Sequence, residues 1–229
     1  MKTWVRTLVV LAALIGAGSG QVLGGTSIPE KGNLYFDVWR NGNLIGSHRI
    51  DFRRDGADLV VDISIRLAVD FAYVTVFRYE HRNEERWRDG SLIAMTSSTN
   101  DDGKAGHVRL AATTDGLAVE GSVFTGTLPA DLLPTTYWRV ESIRQRRLIS
   151  SQDGRPMDVT VTDAGLDTVL SEGRVVPASR YLMRGDLDLD LWYDANGEWV
   201  KLTFVASDGS TIDYRRVPAP RVIEAEARP

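Results

Sequence analysis

No cysteine occurs among the 229 residues. That excludes disulfides, thiolate zinc sites, cysteine nucleophiles and a lipidated N-terminal cysteine. Histidine is scarce: His48, His81 and His107 are the only three, and none is near another in sequence. His81 and Glu85 would share a helical face, but on a strand they lie about 13 Å apart. No metal-binding pair follows from that spacing, and no cofactor is expected. Positive charge is also short. Lys and Arg number 27 against 31 Asp and Glu, a net −4, which gives no electrostatic footprint for nucleic acid. A Gly-x-Ser-x-Gly elbow and a phosphate-binding glycine loop are both missing. No apolar run reaches the roughly 20 residues that a bilayer span requires.

The N-terminus reads as an address. Lys2 and Arg6 precede an unbroken apolar run at 8–15 (LVVLAALI), and small residues fill 16–20. This pattern predicts a secretory signal peptide over 1–24, with cleavage between Ala17 and Gly25. An uncleaved anchor is the alternative. The expected location is periplasmic or secreted. Loss of Lys2 and Arg6 leaves 25 basic against 31 acidic residues, −6 for the mature chain. Residues 25–217 read as a single antiparallel β domain without a transmembrane segment. Residues 218–229, with three prolines and alternating charge, read as a disordered tail.

Turn chemistry dominates the mature chain. Asn-Gly or Asp-Gly pairs begin at Asn41, Asp55, Asp89, Asp102, Asp115, Asp153, Asn196 and Asp208. Such pairs accept the positive φ angles of tight hairpins. Between them lie β-rich runs at 34–40, 44–53, 59–87, 91–99, 107–113, 157–162, 175–184, 187–193, 199–206 and 211–217. Residues 129–133 predict a single helical turn, and 141–149 fit either a strand or a short helix. The fold class is therefore all-β with little helix.

The run from Leu59 to Tyr79 is apolar at almost every second position, with Asp62, Ser64, Arg66, Asp70 and Arg78 between. That is the pattern of a half-buried antiparallel strand. As one strand it would span roughly 70 Å, against a radius of gyration of about 16–17 Å. It must bend or break, with 68–72 the expected corner. Long curved strands with one wet face predict a curved antiparallel sheet, a half-open or closed barrel.

Carried past Tyr79, the same phase points His81, Asn83, Glu85 and Trp87 inward, unless a bulge resets the register and leaves them at a solvated sheet end. With the aromatics Trp138 and Tyr193, the residues Tyr79, His81, Glu85 and Trp87 form a candidate cavity rim. Other aromatics, including Tyr137, Trp199 and Tyr214, are expected to pack in the core. The Asp-Leu alternation at 186–191 lacks the glycine and glutamate of a calcium loop. Alternation accounts for it, with Leu187, Leu189, Leu191 and Tyr193 inward and the carboxylates in water. Arg144, Arg146 and Arg147 read as a solvated face.

Several stretches together resemble a family of uncharacterised secreted proteobacterial proteins known only as a domain of unknown function. They are 35–38 (YFDV) with 43–46 (NLIG), 79–81 (YEH) with 85–92 (ERWRDGSL), 98–103 (STNDDG), 191–194 (LWYD) with 197–200 (GEWV), 208–210 (DGS) and Tyr214. That family is similar, more distantly, to lipoprotein-carrier-like half-barrels. The resemblance implies a curved sheet enclosing an apolar cavity, and it carries no catalytic residues. This chain has little helix to serve as a lid.

Three readings of function are open. The first is a non-enzymatic cell-envelope protein that binds a lipid or other amphipathic small molecule. The second is a scaffold or assembly factor that recognises an envelope protein through a sheet edge or aromatic patch. The third is a hydrolase of envelope polymers, which would need a cleft with two carboxylates or a His–carboxylate pair.

Overall fold

Turn residues and alternation build a chain of hairpins. The computed structural model describes Pro29 and residues 32–71 and 74–219. The expected leader at 1–24 and residues 220–229 of the expected tail lie outside the described residues. A first meander runs through β1 (Leu34–Arg40), β2 (Asn43–Asp55), β3 (Asp58–Phe71), β4 (Val74–Arg88), β5 (Ser91–Asp101), β6 (Lys104–Thr113), β7 (Gly116–Gly121) and β8 (Thr125–Leu128). A short β9 (Leu133–Pro134), a 3-10 helix (Val140–Arg144) and β10 (Arg147–Ile149) come next. The second meander is β11 (Pro156–Ser171), β12 (Arg174–Gly185), β13 (Leu189–Tyr193), β14 (Trp199–Val205) and β15 (Thr211–Val217).

β1 pairs with β2 on one side and β15 on the other, so the first and last strands join the two meanders into one sheet. Every pairing is antiparallel except β9 with β10. The curved sheet is half-open: β8 and β9 form its two edges and do not pair with each other.

The hairpins use the predicted turns. Asn41-Gly42, Asp89-Gly90 and Asp102-Gly103 have positive φ at both residues, the geometry of two-residue turns that match strand twist. The long alternating run breaks after Phe71, at the expected corner, into the β3–β4 hairpin.

Three local expectations are corrected. Residues 129–133 form no helical turn; they make a tight turn closed by Leu132 N–H to Pro129 C=O at 3.4 Å, and Leu133 already belongs to β9. β11 continues to Ser171, far past residue 162, because a register shift between Asp163 and Leu166 hides its alternation. Asp190 does not face water. It is buried beneath Arg180 and Arg184, which donate to it at 3.1 Å and 2.7 Å. The ambiguous 141–149 contains both elements, the 3-10 helix and then β10.

The concave face carries the core, with Phe36, Trp87, Tyr193 and Trp199 among its largest buried side chains. Residues 129–155 cross the gap between the sheet edges and reach into the concavity. Ser97 Oγ donates to Ser151 C=O at 2.6 Å, and Val123 N–H to Asp153 C=O at 3.1 Å. This close approach needs glycine on the strands beneath. A Cβ at Gly121 would sit 2.2 Å from the Asp153 carbonyl oxygen, and one at Gly106 would sit 2.6 Å from that of Gln152.

Candidate functional site

β4 stays in register with β3 from Phe77 to Trp87, so Tyr79, His81, Asn83, Glu85 and Trp87 all face the concavity. Strand rise spaces them down the wall at about 6–7 Å per inward residue. The upper and lower parts of this row differ.

The upper part lines a cavity of about 830 Å³, within the usual range for small-molecule sites. Its apolar wall includes Ile45, Ile65, Leu67, Phe77, Leu187 and Phe204. Its polar lining includes His48, Tyr79, His81, Thr136, Tyr137 and Tyr214. Among the described residues, the charged groups on the wall are Asp101, Asp153, Asp186, Asp188 and Asp208 with Arg40 and Arg155. All seven are at least partly exposed, so they mark the opening. Arg40 pairs there with Asp208, and Arg155 with Asp153.

Sheet register brings the two histidines to one level. His48 on β2 and His81 on β4 both lie opposite Ile65 on β3, which puts their Cα atoms about 10 Å apart, two strand spacings. Both are buried. His81 Nδ1 bonds Thr99 Oγ1 at 2.9 Å, while its Nε2 has no hydrogen-bond partner among the described residues. Neither ring nitrogen of His48 has one. His48 packs edge-on to Trp199 and Tyr214, with centroids at 5.4 Å and 5.7 Å. Burial, with a lesser push from His81, lowers the His48 pKa to about 3. Burial lowers that of His81 to about 4. Both imidazoles are neutral at pH 7.

Three tyrosines lie beside the histidine level, with Tyr79 and Tyr214 one inward position nearer the opening by register. Burial raises the pKa values of Tyr79, Tyr137 and Tyr214. Tyr214 adds to the rise at Tyr79, and both Tyr79 and Tyr214 add to that at Tyr137. Tyr137 is held at a positive φ of 57°. Its carbonyl accepts the Tyr193 hydroxyl at 2.8 Å, and that hydroxyl also lies 3.1 Å from Ser142 Oγ.

Glu85 organises the lower part. It is fully buried. Trp87 Nε1 and Trp138 Nε1 both donate to its Oε2 at 2.9 Å, and Asn83 Nδ2 donates to Oε1 at 3.0 Å. Thr136 supplies a further hydrogen bond. Burial raises the Glu85 pKa against the pull of these donors. The two indoles meet edge to face at 5.5 Å, and Arg139 lies over the Trp87 ring at 4.8 Å.

Of the six residues expected at a rim, Tyr79 and His81 line the cavity. Glu85, Trp87 and Trp138 come together in the packed base below it. Tyr193 supports Tyr137 from the side. Sequence reasoning did not single out His48, Tyr137 or Tyr214 for the site. His48 shares its inward phase with Ile50 and Phe52, but that phase is interrupted nearby at Gly46. There the register shifts opposite Val38/Trp39, and a Cβ would lie 2.0 Å from the Arg66 carbonyl oxygen.

The model for the domain of unknown function DUF6134 matches residues 36–217. The chain belongs to this family. The DUF6134 chain is also similar in structure to a β-barrel-like protein of the domain of unknown function DUF1849 from Brucella abortus. The TM-score is 0.56 at 12% identity, covering 81% of this chain and 94% of that one. Identity that low carries the fold alone. No curated protein matches the sequence. Among the described residues, no helix is long and apolar enough to cross a membrane.

Proposed function

We propose that this DUF6134 protein is a non-enzymatic, exported cell-envelope protein that holds an apolar or amphipathic small molecule in its cavity. One observation carries the reading: about 830 Å³ of space whose wall is more apolar than polar and whose buried polar groups are uncharged. An apolar wall stabilises a hydrocarbon body by about 25 cal/mol per Å² removed from water. The short n-region and apolar run at the N-terminus support export.

The hydrolase reading finds less support. His81 pairs with a threonine rather than a carboxylate, and the Glu85 oxygens are engaged by indole and amide donors. The assembly reading rests on a separate observation, the exposed apolar side chains Leu166, Leu170 and Val175 of the β11–β12 hairpin.

The test is native mass spectrometry of the protein purified from the cell envelope, with organic extraction of whatever it carries. A stoichiometric lipid or other amphiphile is the expected result. An empty protein that binds no N-phenyl-1-naphthylamine, an uncharged apolar fluorophore, would overturn the reading and leave the assembly role.

A further inference from the structure

A cavity that holds an amphiphile must also accommodate its polar end, and the groups buried in this one restrict which ends fit. Building on the proposed binding role, we infer that the cavity selects an amphiphile whose buried polar end is uncharged, a hydroxyl or carbonyl. That end shares hydrogen bonds with His48, His81 and the tyrosines beside them.

Hydrogen bonding points to this choice. Both ring nitrogens of His48 and Nε2 of His81 are buried without partners among the described residues. An unpaired buried polar group is destabilising, and native proteins seldom leave several together. A neutral imidazole offers one donor and one acceptor, and a tyrosine hydroxyl offers both. A ligand hydroxyl matches that mixture, and a carbonyl matches its donors.

Charge points the same way. A buried carboxylate or ammonium needs a fixed counter-charge. Among the described residues that line the cavity, no buried one is charged: the charged lining residues stand at the opening. Arg216, which the register sets at the level of His48, is buried off the lining and is paired with Glu198 and Glu172. Glu85 lies deeper and is already surrounded by donors. The opening itself has five aspartates against two arginines. That balance disfavours the entry of anions. An ammonium would be drawn to the opening but would find no carboxylate at the histidine level.

The experiment displaces N-phenyl-1-naphthylamine from the purified full chain at pH 7.5 with 1-decanol, decanoate and decyltrimethylammonium. The expected result is that 1-decanol competes at least about tenfold better than either ion. Decanoate or decyltrimethylammonium competing as well as 1-decanol would overturn the inference while leaving a binding cavity in place. Failure of the fluorophore and of all three amphiphiles to bind would overturn the cavity reading as well.

The histidines are tested separately through His48→Phe and His81→Phe, with Tyr214→Phe as the mildest change. Each should weaken 1-decanol by several-fold to about tenfold more than it weakens N-phenyl-1-naphthylamine, which needs no polar partner there. Unchanged 1-decanol affinity in all three variants would overturn the assignment of the polar end to these groups. Parallel loss of both ligands would also overturn it, by showing a general packing role.

Discussion

β4 carries two buried polar centres about 13 Å apart, and they are built on opposite principles. At the lower one, Glu85 receives bonds from Asn83, Trp87, Trp138 and Thr136, and Asn83 Oδ1 alone is left without a partner among the described residues. Its partners come from β4 itself and from the segment that crosses the concavity. At the upper one, His48 and His81 keep three ring nitrogens without partners among the described residues, beside an open cavity. A polar group satisfied by the chain fixes the fold. A polar group left unsatisfied next to space is available to something that enters. Position on the strand, rather than residue type, separates the satisfied centre from the unsatisfied one.

The largest test of that contrast is Glu85→Leu. It leaves two indole N–H groups and an amide without their acceptor, so stability should fall by at least about 3 kcal/mol. Urea unfolding measures it, and a loss under about 1 kcal/mol would remove Glu85 from its central place.

Acid comes next. His48 and His81 have folded-state pKa values of about 3 and about 4, below the ordinary 6.5. The unfolded chain therefore binds more protons than the folded one below pH 6.5, and stability drops as pH falls through that window. Each histidine should cost about 2 kcal/mol by pH 5. The loss should level off near pH 3–4. Glu85 has the opposite sign. Its pKa is raised, so it favours the folded state below pH 4.5 and loses that contribution as pH rises through its folded value. Unfolding curves between pH 7.5 and 5 record the sum of these contributions, and His48→Phe should shrink the acid loss by about 2 kcal/mol. An unchanged acid loss in that variant would mean that His48 is not held neutral by burial.

Trp138→Phe should cost about 2 kcal/mol, through one lost bond to Glu85 and poorer packing of the crossing segment; the same urea unfolding measures it. The smallest effect belongs to His48→Phe at pH 7.5. With no hydrogen bond to lose, it should change stability by less than about 1 kcal/mol. A large stability loss there would erase the distinction between the two centres.

The alternation of residues 59–79 was enough to read a curved sheet, but it left His81 and Glu85 either inward or at a solvated sheet end; they lie inward. Paired Asn-Gly and Asp-Gly turns marked most hairpins. Sequence could not show which inward polar groups satisfy one another. Thr136 and Trp138 reach Glu85 from a segment with no periodicity, so the base of the cavity was indistinguishable from its wall. His48 was obscured by the irregularity at Gly46. The β11 extension was hidden by its own register shift, and the Glu172-Gly173 turn that ends it lacks the usual asparagine or aspartate.

The pairing of Tyr35 with Val217 brings the start of β1 and the end of β15 side by side. Arg40, at the other end of β1, stands at the cavity opening with Asp208. Five residues of extended chain separate the two levels, about 17 Å. The described chain therefore enters the sheet at Leu34 and leaves it after Val217 at the base, at the end of the strands away from the opening.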